Sequence, residues 1–322
     1  MIYFFLVNIT DKQQYELLAA ISARGEIPTK FIYLDGGEEN WDRVYGQRSR
    51  ANGMADQEMN LLLDHMTSFA SVFSGSPGIN LIDLGCGNGL PAIEIIKQFM
   101  QRDFQINYVA VDISEPMIEM AIHNIHREFP GLPIRKLHLD FEKESLADEL
   151  IEIKQANSFP NLLIDLGNTL GNHVNVTSVL SNFLESMTLE DYLLIGNGLA
   201  NDYNPQKILA YYTEAVKDLV TYPAKLLGIY DQDDDFKFIW NDAKNRVEGR
   251  IHLNKERRIV LAKQEIHLDA NEEILVMQSN KYSEFSLTKL LSDVGFRTEL
   301  LTTTKTRDEI IVLVQPTRYS TG

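Results

Sequence analysis

The chain has 322 residues, of which 44% are hydrophobic and 24% charged, as is ordinary for a globular enzyme of one large or two modest domains. Its formal net charge of −16, from 30 basic and 46 acidic residues, argues against a nucleic-acid backbone as a partner. The single cysteine excludes an intramolecular disulfide. The apolar start at residues 2–7 lacks a positive flank and is too short for a signal peptide or membrane span, so we expect a soluble, cytoplasmic protein that binds no membrane.

Residues 1–75 precede the first predicted core strand and contain helical stretches at 12–23 and 54–73. Between them lies a polar, turn-rich segment, Leu34-Asp-Gly-Gly-Glu-Glu-Asn-Trp41. The run Ser74-Gly-Ser-Pro-Gly78 then indicates a linker, because clusters of Gly, Ser and Pro interrupt regular structure.

The most informative segment ends the apolar run 79–84 and reads Asp83-Leu-Gly-Cys-Gly-Asn-Gly-Leu90. A buried strand, a glycine turn and a helix, here predicted at 90–100, form a nucleotide pocket in α/β proteins. Three glycines, Gly85, Gly87 and Gly89, let the backbone approach a ligand without a Cβ. They alternate at every second position, whereas the dinucleotide fingerprint reads Gly-x-Gly-x-x-Gly. Because Asp83 suits a ligand that is cationic near its ribose, the segment predicts S-adenosylmethionine (SAM) as the cofactor.

Polar side chains follow the next predicted strands at their carboxyl ends, where open α/β sheets bind ligands. Strand 106–111 ends in Asp112, whose carboxylate would accept hydrogen bonds from both ribose hydroxyls. Strand 134–139 runs into Asp140 and Phe141, a carboxylate and a ring suited to the amine and the face of adenine.

A fourth strand, 161–166, contains Asp165 and runs into the loop Gly167-Asn-Thr-Leu-Gly-Asn172. Four such strand ends in order favour nucleotide binding far more than any one of them does. The predicted donor site comprises Asp83, Gly85, Gly87, Gly89, Asp112, Asp140, Phe141 and Asp165.

Other reactive residues are predicted to be structural. Cys86 lies inside the glycine loop without a neighbouring histidine, which favours a small packing residue over a nucleophile. The acidic run 231–235 lacks the glycine and the final glutamate of a calcium loop. His123 and His126 have no obvious third ligand, so we predict no metal site.

The remaining pattern predicts the end of a methyltransferase sheet interrupted by an insertion. A helix at 176–187, a strand at 192–195 and a helix at 208–220 come first. Antiparallel strands are expected within the insertion at 236–240, 246–253, 258–268 and 273–278, before a helix at 286–294 and strands at 297–302 and 309–314.

We therefore expect an α/β fold with a seven-stranded, Rossmann-like class I methyltransferase core and a second domain. The core would comprise 76–203 and 283–322. The substrate-recognition domain would comprise 1–75 and 204–282.

Three segments together resemble the histidine-specific SAM methyltransferases of ergothioneine biosynthesis. They are Tyr33-Leu-Asp-Gly-Gly-Glu-Glu-Asn-Trp41, Gly167-Asn-Thr-Leu-Gly-Asn172 and Ser279-Asn-Lys-Tyr282. These enzymes trimethylate the α-amino group of L-histidine, and fungal relatives act on a prenylated tryptophan. The resemblance spans most of the chain and implies a methyltransferase core combined with a domain built from the N-terminal segment and the insertion.

The resemblance implies roles for six residues. Asn172 matches an asparagine that holds the α-amino and carboxylate groups of the substrate, and Tyr212 a tyrosine at the same end. Tyr33 and Trp41 fall where the family places aromatics near the substrate and donor. Ser279 matches a serine that recognises the side chain, and Met277 stands where the histidine enzymes carry an acidic residue that recognises the imidazole. The family's Pro-Glu-Tyr-Tyr stretch is also replaced, here by residues 45–50.

These residues predict an enzyme, a SAM-dependent N-methyltransferase, acting on the α-amine of an amino acid or amino-acid-like small molecule other than histidine. Asn172 and Tyr212 are its predicted catalytic residues. Three alternatives remain open: an L-histidine Nα-methyltransferase, a non-catalytic SAM-binding protein, and a nicotinamide-dependent oxidoreductase, against which the glycine spacing argues.

Overall fold

The computed structural model of the protein describes residues 9–50, 54–200 and 211–317. Its strands are β1 (Gly78–Leu84), β2 (Gln105–Asp112), β3 (Ile134–His138), β4 (Asn161–Asp165), β5 (Tyr192–Gly198), β6 (Asp235–Asn241), β7 (Arg246–His252), β8 (Arg257–Leu261), β9 (Gln264–Leu268), β10 (Glu273–Asn280), β11 (Phe296–Thr303) and β12 (Glu309–Pro316). Its α-helices are α1 (Asp11–Arg24), α2 (Gly37–Arg50), α3 (Met54–Asp64), α4 (Met66–Ser71), α5 (Leu90–Met100), α6 (Glu115–Glu128), α7 (Ala147–Asn157), α8 (Thr169–Asn172), α9 (Val176–Ser186), α10 (Glu214–Leu226) and α11 (Glu284–Val294), and a 3₁₀ helix spans Thr29–Tyr33.

Two units share this chain, as judged by where its internal contacts concentrate. Among the described residues, the sheet unit comprises 48–50, 54–171, 175–200 and 282–317. The insertion unit comprises 9–47, 172–174 and 211–281.

The sheet unit contains a seven-stranded sheet in the order β11-β12-β5-β4-β1-β2-β3. The strands from β3 to β5 run parallel, whereas β12 runs antiparallel to both β5 and β11. A parallel sheet closed by an antiparallel hairpin is the predicted class I methyltransferase core, and the fold class is confirmed. Because the order reverses at β1, the carboxyl ends of β1, β2 and β4 form a ligand-binding edge.

Helices cover both faces of this sheet, which explains why its central strands β1 and β4 are buried along their whole length rather than at alternate residues. On one face, Phe99 of α5 and Leu62 of α3 belong to a cluster that includes Leu81 of β1. On the other, Phe183 of α9 belongs to a cluster that includes Ile82. Neighbouring residues of β1 thus face opposite clusters, as strand geometry requires.

Helices α3 and α4 belong to the sheet unit, although the sequence suggested grouping residues up to 75 with the insertion. The reason is packing, since Leu62, Met66 and Phe69 are buried in the same apolar cluster as Ile79 and Leu81. The suggested boundary at 203/204 lies outside the described residues.

The insertion unit is built on an antiparallel sheet in the order β10-β7-β6, with β8 and β9 as a separate hairpin. The sequence suggested one strand over 258–268. Instead, Ala262 (φ 50°) and Lys263 (φ 63°) form a left-handed turn between two strands. Neither residue is a usual turn former in this conformation, so the pattern carried no sign of the break.

Three other helix predictions differ from the structure. Residues 34–41, predicted to be rich in turns, enter helix α2 at Gly37, and the sequence did not predict α7. The helix expected from 208 begins at Glu214, where the side chain of Thr213 caps it, and it continues through Pro223. Residues 208–210 lie outside the described part.

Candidate active site

The glycine loop after β1 has a left-handed backbone at all three predicted glycines, with φ of 69°, 52° and 71° at Gly85, Gly87 and Gly89. The Gly85 amide donates to the carbonyl of Val111 at 2.8 Å, which ties the loop to the end of β2. A Cβ on Gly89 would lie 3.1 Å from Ala121 of α6. The loop therefore requires glycine for its turn and for close helix packing.

Asp83 is a buried carboxylate directly before this loop. The fully buried Tyr108 of β2 donates its hydroxyl to Asp83 Oδ2 at 2.7 Å. Burial raises the pKa of Asp83 to about 7, because it outweighs the tyrosine hydrogen bond and is reinforced by Asp112 and Asp165.

Asp112, at the end of β2, accepts hydrogen bonds from the Ser114 amide at 3.0 Å and the Gly87 amide at 3.3 Å. Burial still raises its pKa to about 6. Two buried acidic groups with raised pKa values favour a positively charged ligand, which would stabilise their ionised forms. The residues present thus fit SAM, which carries an ammonium and a sulfonium.

Asp140 and Phe141 follow β3 as expected. Asp140 is half-buried, and its Oδ1 accepts from the Glu142 amide at 3.1 Å. The Phe141 ring is 7% exposed and packs against Phe183 with a centroid separation of 5.6 Å. The Phe141 ring therefore packs mainly in the core, and its contact with adenine stays a prediction.

Asp165 is completely buried at the end of β4, and its Oδ1 accepts from the Leu170 amide at 3.1 Å. Burial raises the pKa of Tyr282, the last residue of the segment Ser279-Asn-Lys-Tyr282, and the charge of Asp165 raises it further. Asp165 therefore shapes the loop that follows it, and contact with the donor stays a prediction.

The loop after β4 is held in a left-handed conformation at two successive residues, Gly167 (φ 73°) and Asn168 (φ 64°). Asn168 Oδ1 accepts from the Gly198 amide of β5 at 2.5 Å, and the Thr169 hydroxyl donates to Leu166 O at 2.8 Å. The Thr169 methyl lies 3.3 Å from where a Cβ on Gly85 would stand. The loop thus lies against the glycine loop.

Asn172 belongs to the insertion unit, where its side-chain amide donates to the Tyr33 hydroxyl at 3.4 Å. The next carbonyl, that of His173, accepts from the side chains of Gln278 at 2.8 Å and Asn280 at 3.2 Å. Arg246 in turn donates to the Gln278 amide oxygen. The structure therefore brings together two predicted substrate residues and anchors the chain beside them.

The turn between Tyr33 and Trp41 is fixed by α10. Tyr222 donates its hydroxyl to Asp35 O at 2.8 Å, and a Cβ on Gly36 (φ 98°) would lie 2.6 Å from that hydroxyl. Trp41 lies on α2 and stacks on Tyr45 with a centroid separation of 5.1 Å. The glycines of this motif thus allow a close approach of Tyr222.

Tyr212 is 51% exposed, and its hydroxyl bonds the main chain of β6. It donates to Phe238 O at 2.7 Å and accepts from the Phe238 amide at 3.2 Å. The neighbouring Tyr211 is 5% exposed and packs on the Phe238 ring at 5.6 Å. The Tyr212 hydroxyl is therefore hydrogen-bonded to the main chain of the edge strand β6, and its role at the amino-acid end of the substrate stays a prediction.

Met277 and Ser279 are buried on β10. A Cβ on Gly249 of β7 would lie 3.3 Å from Met277 Cβ and 3.3 Å from the Phe238 ring. Register pairs Ser279 with Val247, two residues from Gly249, so Met277 and Ser279 share this face of the sheet. The residues of β7 that pair with Met277 and Ser279, Gly249 and Val247, are apolar.

Comparison with known proteins identifies the family. Residues 13–316 match the model of the family described as histidine-specific methyltransferase, SAM-dependent. The chain belongs to this family. It is therefore an enzyme, a SAM-dependent methyltransferase, and its cofactor is SAM. The alternatives of a nicotinamide-dependent oxidoreductase and of a non-catalytic protein are thereby set aside.

Three curated relatives of this methyltransferase carry different names. The N-methyltransferase imqF of Aspergillus flavus is 23% identical over 88% of this chain and 79% of its own. The histidine N-alpha-methyltransferase of Mycolicibacterium smegmatis is 21% identical over 86% of each. The 4-dimethylallyltryptophan N-methyltransferase easF of Claviceps fusiformis is 24% identical over 88% of this chain and 86% of its own.

Three further predictions were that Cys86 is not a nucleophile, that there is no metal site and that there is no membrane span. Cys86 is buried with a raised pKa, chiefly through burial, which disfavours a thiolate nucleophile. Within the described ranges, no group of three or more His, Cys, Asp or Glu side chains could hold a metal ion. No helix in that part of the methyltransferase is long and apolar enough to cross a membrane.

Sequence reasoning missed several residues that shape the site. Tyr108, Tyr222 and Gln278 contact predicted site residues or the segments that carry them, and so does Glu58, whose carboxylate accepts from the Gly167 amide. Only Gln278 could have been found from the local sequence, because it lies between Met277 and Ser279, two residues already predicted to bind the substrate.

Proposed function

We propose that this methyltransferase transfers a methyl group to the α-amine of an amino acid or amino-acid-like small molecule other than histidine. The observation that carries the proposal is Met277, a buried apolar side chain at the position where the resemblance places an imidazole-binding acid. Support for an amine acceptor comes from three relatives named as N-methyltransferases.

The pairing of Asn172 with Tyr33 supports recognition of the amino-acid end. A primary amide presents donors to a carboxylate and an acceptor to an amine, so one side chain can orient both groups. The hydroxyl of Tyr33, 3.4 Å from the Asn172 amide nitrogen, limits the rotation of that amide. Tyr212 is proposed to assist at the same end.

The face around Met277 supports a side chain other than imidazole. An acidic partner that hydrogen-bonds a buried polar ring contributes about 1–3 kcal/mol, which is lost when the acid is replaced by a thioether. Discrimination that depends on such a pairing fails most when the partner is missing. Phe238, Met277 and Gly249 instead favour an aromatic or aliphatic side chain, with Ser279 supplying one hydroxyl.

The reaction is a direct displacement. SAM supplies a methyl group on a sulfonium, whose sulfur keeps the electron pair of the broken bond. The protein must bind the amine unprotonated, with its lone pair available, and orient it toward the methyl carbon. Asn172 is assigned this orientation, and the ammonium proton leaves to water, directly or through a tyrosine hydroxyl that passes its own proton on to water.

The first test is mass spectrometry of the purified protein incubated with SAM and a mixed pool of amino acids, small amines and short peptides. A methylated amino acid other than histidine is the expected result. Methylation of histidine would instead support the second candidate, an L-histidine Nα-methyltransferase, which the family description and the Mycolicibacterium relative favour. Methylation of an oxygen or carbon acceptor would contradict both.

The second test removes the amide of Asn172. In Asn172→Ala we expect turnover to fall by about 100-fold, because the acceptor is no longer oriented. The donor-site residues lie in the sheet unit, so SAM affinity by calorimetry should stay within about threefold of the native value. Loss of SAM affinity as large as the loss of turnover would contradict the assignment of Asn172 to the acceptor.

A further inference from the structure

Glu58 of α3 is a buried carboxylate that the predicted site does not use. It is 5% exposed, and both its oxygens lie 3.0 Å from the Gly167 amide nitrogen, so the carboxylate accepts that hydrogen bond. A Cβ on Gly196 of β5 would overlap Glu58 Oε1. The carboxylate therefore lies at the carboxyl ends of β4 and β5, in space left open by a glycine.

Gly167 begins the loop that leads to Asn172. Gly167 and Asn168 both have positive φ, a conformation that glycine adopts freely and asparagine more readily than most other residues, so the hydrogen bonds at these residues decide where the loop is held. The Gly167 amide donates to the Glu58 carboxylate, and the side-chain oxygen of Asn168 accepts from the Gly198 amide of β5. These bonds tie the backbone at Gly167 and the side chain of Asn168 to neighbouring elements.

The same loop lies against the glycine loop that follows β1, because Thr169 occupies the space beside Gly85. The Gly85 amide has its own bond to Val111 O, so a shift of the backbone at Gly167 would change chiefly the direction in which the chain leaves toward Asn172. A displacement of about 1 Å in a positioning group can cost about 100-fold in rate.

We propose that Glu58 is a positioning residue for methyl transfer. Its carboxylate holds the Gly167 amide and so keeps the backbone at Gly167 in place, with Thr169 against the glycine loop. The expected effect of Glu58 on turnover rests on the proposed function, whereas its expected effect on the loop does not.

The test compares variants in the presence of saturating SAM. In Glu58→Ala we expect kcat to fall by about 100-fold, with SAM affinity within about threefold of the native value. Glu58→Gln retains one oxygen that can accept from Gly167 and should recover part of that loss. Asp64→Asn removes an exposed charge from the same helix and should behave as the native enzyme does.

A second measurement does not depend on turnover. Hydrogen exchange of the peptide that contains residues 166–171 should be about tenfold faster in Glu58→Ala, because the Gly167 amide has lost its acceptor. Gly196→Ala, which displaces the carboxylate without removing it, should change exchange and kcat in the same direction. This variant also keeps the test valid if Glu58→Ala does not fold.

Full activity in Glu58→Ala, unchanged exchange in this loop, or a loss of kcat matched by the loss of SAM affinity would overturn the proposal. If the native enzyme methylates no amine while exchange still accelerates in Glu58→Ala, the proposed acceptor is wrong and the control of the loop by Glu58 is supported.

Discussion

Asp83 and Asp112 are buried acids whose ionisation is linked to the charge of the donor. Their pKa values, raised to about 7 and about 6, reflect burial, which outweighs the hydrogen bonds that the two carboxylates accept. In the free enzyme the folded state binds more protons than the unfolded state between the ordinary value of 3.8 and about 7. The free energy of unfolding contributed by these groups therefore falls as the pH rises across that window.

Donor binding should show the opposite dependence. SAM is cationic and binds best to ionised carboxylates, so its affinity should fall by about tenfold per pH unit below 7 and more steeply below 6. Calorimetric titration between about pH 5.5 and about 8.5 measures this slope. Asp83→Asn should bind weakly with a flatter profile, whereas a native affinity that does not change with pH would contradict the linkage.

Tyr212 offers a second prediction at the residue scale, because its hydroxyl has a structural partner in Phe238. If the hydroxyl also serves the acceptor, Tyr212→Phe should raise the KM for the acceptor by about fivefold or more, the value of one hydrogen bond. Tyr15→Phe, at a similarly exposed tyrosine, is the matched control. A lower melting temperature with unchanged KM would assign the hydroxyl to the β6 edge alone, and the buried Tyr211 would be tested next.

At the scale of elements, β10 presents different groups on its two faces. Met277 and Ser279 lie on the face with Gly249, whereas Gln278 and Asn280 bond the carbonyl of His173, the residue after Asn172. Period-two alternation thus separates the residues proposed to recognise the substrate side chain from those proposed to support its amino-acid end. A one-residue slip of register would exchange these faces.

Replacing Gln278 by methionine tests this division, because the side chain keeps its approximate volume and loses its amide. We expect the acceptor KM to rise by about two- to tenfold, since His173 O loses the bond from Gln278 and keeps that from Asn280. SAM affinity should not change. Gln264→Met, on an exposed position of β9, is the control, and an unchanged KM in Gln278→Met would show that Asn172 needs no such anchor.

At the scale of the molecule, two of the three segments that carry the family resemblance lie where the chain passes from one unit to the other. One segment spans the passage into the insertion unit between Gly171 and Asn172, from which the chain returns to the sheet unit at Asn175, and another spans the passage back to the sheet unit between Lys281 and Tyr282. The third, from Tyr33 to Trp41, lies within the insertion unit. Two of the motifs thus coincide with points at which the backbone passes between the units.

The sequence alone determined the strands of the seven-stranded sheet and the glycine loop after β1. Strand and helix periods, glycine spacing and an acid at each strand end are local patterns, and parallel strands necessarily bring their carboxyl ends to one edge. Even the closing pair of strands, β11 and β12, was predicted from the local sequence. The family match confirms the fold, the enzyme class and the cofactor.

Only the tertiary structure decided which side chains support the loops. Glu58 and Gly167 are 109 residues apart, and Gln278 and His173 are 105 apart. The Tyr212 hydroxyl could be placed on β6 only once that strand proved to be a sheet edge. Such contacts depend on register and packing between distant segments, which no local period encodes, so the sequence specified the donor loop more fully than the groups that hold the acceptor.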